Sequence, residues 1–262
     1  MAPVRPVHDL ETLADALGCA GFVAARDEAL ELLSSANGDE ALLERLVRRR
    51  LGGEPLAWIT GSVSFCGITV HVDPGVYVPR WQSEPLACRA VERLPPRGTA
   101  LDVCAGAGAI AALLRARRPA ARVAATELDV RAAACATDNG VEVHVGDLYE
   151  PLPRELVGRV DVVVGVVPYV PTAALALLPH GTLDWEAPLA YDGGPDGTAV
   201  LRKVAAGAPA VLGRPGALLL ELGAGQADLI AEDLLGLGFA EPVVLVDDDG
   251  DVRGIEATLP AH

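Results

Sequence analysis

The residues able to do chemistry gather around two carboxylates, Asp102 and Glu127, and two glycines, Gly106 and Gly108. The stretch Leu101-Asp-Val-Cys-Ala-Gly-Ala-Gly-Ala-Ile110 changes from a strand pattern to a helix pattern across those glycines, which let the backbone turn sharply and come close to a ligand. Asp102 stands at the end of the first strand. Glu127 ends a second strand about twenty residues on, where a carboxylate can accept both hydroxyls of a ribose. The spacing Gly106-x-Gly108-x-x-Ala111 also satisfies the relaxed dinucleotide fingerprint, a weak signal taken alone. The early acidic residue helps to choose: a carboxylate repels a pyrophosphate but suits an ammonium or sulfonium charge, and S-adenosylmethionine is such a ligand. The bland alternative is a plain strand-turn-helix unit with Asp102 solvated and Glu127 capping a helix.

A sheet has to hold these groups, and the hydrophobic periodicity supplies one. Strands are predicted at 99–104, 122–127, 141–145, 159–165 and 216–222, alternating with helices at 108–117, 129–138, 196–212 and 225–236, the pattern of a parallel, doubly wound α/β sheet. Strands at 242–247 and 252–259 flank Asp247-Asp-Asp-Gly-Asp251, which reads as a hairpin turn because the spacing and final glutamate of a calcium loop are missing. Residues 172–192 have weak periodicity and read as loop, with a short helix at 172–178. Upstream, 9–52 carries helical periodicity in three segments. Trp58, Ile59, Val63, Phe65, Ile68, Val70 and Val72 suit the strands of a hairpin, and a helix follows over 83–94. The reading is a helical domain over 1–53, expected to recognise substrate, a β-hairpin linker over 54–80 and a Rossmann-like domain over 81–262.

Charge and composition narrow the class. A net charge of −15 opposes binding to nucleic acid, whose phosphates would repel the chain. The run Arg45–Arg50, with four arginines, reads as a solvated helix face. No apolar stretch approaches the roughly 18 residues of a membrane span, and residues 1–15 lack a signal-peptide pattern. The five cysteines and five histidines are scattered without ligand spacing. No metal site and a reduced, cytoplasmic setting are therefore expected.

Further motifs carry a family resemblance. Gly53-Glu-Pro-Leu-Ala-Trp-Ile-Thr-Gly61, Phe65-Cys-Gly67, Pro74-Gly-Val-Tyr-Val-Pro-Arg80, Glu84, the stretch from Asp102 to Ile110, Gly146-Asp-Leu148, Pro168-Tyr169, Asp192-Gly-Gly-Pro-Asp-Gly197 and Glu221-x-Gly223-x-x-Gln226 occur in the order seen in protein-(glutamine-N5) methyltransferases. From Arg50 onward the chain resembles that HemK-type family. The resemblance implies a class I S-adenosylmethionine-dependent methyltransferase fold. It implies that Asp102, Cys104, Gly106 and Gly108 border the methionine part of the cofactor, that Glu127 and Leu128 meet its ribose, and that Asp147 and Leu148 meet its adenine.

The departure from the family falls on the reacting end. The family places Asn-Pro-Pro-Tyr there, and its asparagine oxygen and a backbone carbonyl accept hydrogen bonds from the amide nitrogen being methylated. This chain has Val166-Val167-Pro168-Tyr169. Val166 accepts no hydrogen bond, whereas the Val167 carbonyl still can and Tyr169 can still pack on a planar group. The acceptor is therefore expected to be an unknown small molecule or protein group, with Arg80 a candidate anchor for an anionic substrate. A nicotinamide-dependent reductase using the same glycine turn is opposed by Asp102, by Pro168-Tyr169 and by the upstream hairpin. A non-catalytic cofactor-binding paralogue remains the other alternative.

Overall fold

The computed structural model describes residues 9–178 and 182–261. The chain divides between Ser62 and Val63 into two compact units. In the first, α1 (Leu10–Cys19), α2 (Ala25–Ala36), α3 (Glu40–Leu51) and the short α4 (Leu56–Thr60) close on Leu13, Leu17, Leu32, Leu43, Leu46 and Ile59. The side chains of Asp9 and Asp39 cap α1 and α3 by accepting from the Thr12 and Leu42 amides, each at 2.9 Å. Trp58 and Ile59 suit a strand by residue type, yet they lie in α4: Pro55 fixes the N-cap and Gly61, left-handed at φ 85°, ends the turn. The arginine run is also less solvated than expected. Arg50 donates to Glu28 at 2.6 Å and lies 3.9 Å from the centre of the Phe22 ring, and Arg49 pairs with Glu54.

The second unit begins with the hairpin β1 (Ser62–Phe65) and β2 (Ile68–His71), followed by α5 (Glu84–Arg93). Then come β3 (Thr99–Val103), α6 (Ala109–Arg117), β4 (Arg122–Glu127), α7 (Val130–Asp138), β5 (Glu142–Val145) and β6 (Val160–Gly165). The region 172–192 forms a 3-10 turn at Thr172–Leu177, the short α8 (Thr182–Trp185) and a second 3-10 turn at Pro188–Ala190. The chain continues through α9 (Ala199–Val211), β7 (Leu212–Leu220), α10 (Ala227–Gly236), β8 (Val243–Val246) and β9 (Val252–Leu259).

Seven of these strands form one sheet in the order β5-β4-β3-β6-β7-β9-β8. The pairs from β5 to β7 are parallel, as alternating strands and helices require. The expectation of an all-parallel sheet fails at β9, which runs antiparallel between β7 and β8. The hairpin turn at 247–251 reverses the chain, and β9 then fills the position beside β7. Its Glu256, 5% exposed, is paired with Arg89 at 2.5 Å and Arg93 at 3.0 Å, which ties the strand to α5. Leu101, Val103, Val163, Leu201, Leu218 and Ile255 are among the residues of the core around this sheet. No helix among the described residues is long and apolar enough to cross a membrane.

The turn between β3 and α6 depends on Gly108. Its φ is 77°, and a Cβ there would stand 2.8 Å from the Ala136 Cβ of α7 and 3.1 Å from Val141. Gly106 also has a left-handed φ of 55°, but a Cβ on it meets nothing within 4 Å. Gly108→Ala is expected to cost about 2–4 kcal/mol, from backbone strain plus overpacking, and Gly106→Ala about 1 kcal/mol. Urea unfolding of both variants checks the difference, and equal midpoints would remove the packing role given to Gly108.

Candidate functional site

The C-terminal ends of β3, β4 and β6 open on a cavity of about 430 Å³. Asp102, Cys104, Gly106, Glu127, Leu128, Asp147, Leu148, Val166, Val167, Pro168, Tyr169 and Arg80 all line it, so the structure brings together every site residue read from the sequence except Gly108. Gly108 is instead the N-cap of α6, packed against α7. Open α/β sheets present ligand crevices at this end of their strands.

Each acidic group is placed by backbone. Glu127 accepts from the Gly106 amide through Oε2 at 2.8 Å and from the Asp129 amide through Oε1 at 2.9 Å. Each oxygen keeps a lone pair, so the carboxylate is oriented and can still receive two hydroxyls. Asp102 is 2% exposed and accepts from the Ala111 amide at 3.0 Å. Since Gly108 brings no side chain to cap α6, Asp102 satisfies a first-turn N–H of that helix from the neighbouring strand. Asp102 is therefore neither solvated, as in the bland alternative, nor solely a ligand group. Burial pushes its carboxyl up to about 7, with the Glu127 charge adding to the effect and the Ala111 hydrogen bond opposing it. Burial likewise pushes the Cys104 thiol up to about 12. Cys104 and Leu148 hold left-handed backbone at φ 56° and 46° although neither is glycine. Such strain collects at binding sites.

These groups fit S-adenosylmethionine. An oriented carboxylate faces the ribose position, Leu128 and Leu148 offer apolar surface beside Asp147 for a purine, and buried negative charge at Asp102 suits a cationic centre. When bound, that cofactor would supply an electrophilic methyl on a positively charged sulfur. The protein's part is to hold it and to align an acceptor with it.

At the reacting end, Val166 follows β6 and presents only methyl groups, while Val167 is 2% exposed and packs into the core. No hydrogen bond to the Val167 carbonyl is found among the described residues. The segment is held firmly: Gln226 Nε2 donates to the Tyr169 carbonyl at 2.8 Å, the Tyr169 hydroxyl donates to Glu221 at 2.9 Å, and Val170 pairs with the loop at Tyr191 and Gly193. Gly197 is required there, because a Cβ would stand 2.2 Å from the Tyr169 carbonyl oxygen.

Arg80 lines the cavity but is already engaged. It donates to Glu186 and, at 3.1 Å, to the Tyr191 hydroxyl, and Glu186, 3% exposed, also accepts from the Val78 amide at 2.8 Å. Its role as a free anchor for an anion is corrected to that of a partly buried structural ion pair. Glu186 and Tyr191 were not legible as site residues, since they lie in the weakly periodic stretch before Asp192. Elsewhere, His71, Asp73 and Cys135 bring donor atoms within 4.8 Å of one another. The Cys135 thiol there donates to the His71 carbonyl and accepts from the Asp73 amide, each at 3.4 Å.

No family model matches the chain. A release factor glutamine methyltransferase of Geobacter sulfurreducens is 36% identical over 211 residues, covering 78% of this chain and 73% of that protein. A 4-amino-L-phenylalanine/4-methylamino-L-phenylalanine methyltransferase of Streptomyces pristinaespiralis is 38% identical over 191 residues, covering 69% of this chain and 65% of that protein. Among solved structures, a 16S rRNA methyltransferase of T. thermophilus in complex with AdoMet and guanosine aligns with a TM-score of 0.53 and 19% identity, over 77% of this chain and 45% of that one.

The Asp102 carboxyl sets a pH test. Its folded value of about 7 lies above the ordinary carboxylate value of 3.8. Its contribution to stability is therefore fully present below pH 4 and lost as pH rises through 7. About three units correspond to roughly 4 kcal/mol. Asp102→Asn is expected to match the parent at pH 4, to be more stable than it by a few kcal/mol at pH 8.5, and to bind S-adenosylmethionine more weakly. Thermal melts at the two pH values check this; a stability difference independent of pH would refute it.

Proposed function

The chain belongs to the family of release factor glutamine methyltransferases and so is an S-adenosylmethionine-dependent methyltransferase, and we propose that its acceptor is an amine of a small molecule rather than a glutamine amide. The observation that carries this reading is Val166. An amide nitrogen shares its lone pair with its carbonyl, and it presents two N–H donors that need acceptors when buried. With Val166 in place, one of the two finds methyl groups, at a cost of about 1–3 kcal/mol.

An amine keeps its own lone pair. The single Val167 carbonyl can orient it while Tyr169 packs on a flat acceptor, and alignment with the methyl supplies most of the acceleration. The Streptomyces pristinaespiralis relative, whose name gives an aryl amine as its acceptor, supports a small molecule of this kind. In this reading Glu127 holds the cofactor ribose, Asp147 and Leu148 the adenine, and Asp102 faces the methionine part. The second reading, methylation of a release factor, is favoured by the names of the other relatives and by the retained Pro168-Tyr169 pair.

The two readings separate in a radiolabelled methyl-transfer assay on purified release factor. The parent is expected to run about ten- to a hundredfold below a relative that has the asparagine. Val166→Asn with Val167→Pro is expected to raise transfer. Robust transfer to glutamine by the parent would refute the changed acceptor.

A further inference from the structure

A second cavity lies behind Tyr169, where Tyr77, Gln82, Glu221 and Arg253 stand in its wall. It shares Tyr77, Tyr169 and Tyr191 with the cavity described above. Two buried oxygens in its wall have no hydrogen-bond partner among the described residues, Glu221 Oε2 and Gln82 Oε1. Glu221 is only 4% exposed, and its other oxygen is used by the Tyr169 hydroxyl. Burial raises its carboxyl above the ordinary range, against the Ser83 and Tyr169 hydroxyls and the Arg253 charge.

Neither nearby arginine is available to fill the gap. Arg253 is paired with Asp247 at 2.6 Å and lies over the Trp81 ring, and Arg80 is paired with Glu186. A buried carboxylate oxygen beside a buried amide oxygen calls for a ligand rich in donors and positively charged. An ammonium group has three N–H donors and no acceptor, so it can meet both oxygens and the charge together. A neutral amide brings fewer donors and no charge, and a carboxylate brings repulsion.

The position of Glu221 relates it to the reaction centre. Gly165 and Leu220 are partners in the parallel pair β6–β7, and the Glu221 amide donates to the Gly165 carbonyl at 3.1 Å. Glu221 thus follows β7 as Val166 follows β6, on strands about 4.8 Å apart. One small molecule can reach both.

We propose that Glu221 and Gln82 are specificity-determining residues which bind an ammonium group of the acceptor, separate from the atom that is methylated, on a small molecule whose apolar body lies against Tyr169. This rests on the changed-acceptor reading. The ammonium held by Glu221 has no free lone pair, so the nucleophile is a second group at the Val166-Val167 end.

Calorimetry on the full chain with S-adenosylhomocysteine present tests the site with four probes: phenethylamine, phenethyl alcohol, 3-phenylpropionamide and phenylacetate. Phenethylamine is expected to bind at least tenfold more tightly than the other three. Glu221→Gln should abolish that preference while leaving S-adenosylhomocysteine affinity unchanged. Gln82→Leu should weaken phenethylamine several-fold, and it carries the test if Glu221→Gln melts below the assay temperature. Equal binding of phenethylamine and phenethyl alcohol, tighter binding of the amide, or a preference unchanged by both substitutions would overturn the site. Release factor assayed alongside keeps the failures apart: parent transfer to glutamine overturns the changed acceptor, whereas loss of the amine preference without such transfer overturns the ammonium site alone.

Discussion

Glu127 ties the two glycine-bearing turns of the site to each other, because its carboxylate accepts one amide from the turn after β3 and one from the turn after β4. These are charge-assisted bonds and stronger than neutral ones. They fix the Gly106 loop without any side chain from the loop itself, which leaves that loop free to approach a ligand. They also orient the carboxylate in advance, so binding need not order it. Asp102 works in the same way one strand over, where it completes the first turn of α6 and places negative charge under the cavity. The protein thus keeps an unfavourable buried carboxyl in a position where a cationic ligand would relieve it.

The reacting end is built differently. Its side-chain acceptor is gone, yet the backbone around it is held by Gln226, Glu221, Tyr191 and the glycines at 193 and 197. None of those contacts uses the side chain at position 166. Valine there therefore changes what the cavity can recognise while leaving the Val167 carbonyl where the fold puts it. That separation between scaffold and selector is why a loss at one position reads as altered specificity rather than as a damaged site.

Much of this was legible in the sequence, for identifiable reasons. The strands from 99 to 165 and their helices follow from apolar runs punctuated by Gly106, Gly108 and Gly140, and Glu127 was readable because ribose-binding carboxylates have a fixed place in this kind of unit. The α4 turn was hidden because Trp58 and Ile59 favour strands locally while Pro55 and the core around Ile59 decide otherwise. Sheet order was hidden as well: nothing local in 252–259 says that β9 will lie between β7 and β8. The use of Arg80 by Glu186 spans 106 residues, and the pairing of two oxygens at Gln82 and Glu221 spans more still. Periodicity is silent about such long-range meetings.

The place of β9 has a consequence for how the sheet is assembled as the chain is made. β8 is synthesised before β9, yet within the sheet it pairs with β9, so it has no strand partner until β9 has emerged. Until then the edge of β7 also stays open, with its backbone N–H and C=O groups unpaired beside the apolar run Leu218-Leu219-Leu220. The parallel half of the sheet, with both turns that Glu127 joins, can form earlier from nearer segments. The sheet therefore closes at its antiparallel end last, and it passes through an intermediate with a sticky edge whose lifetime is set by the rate of translation.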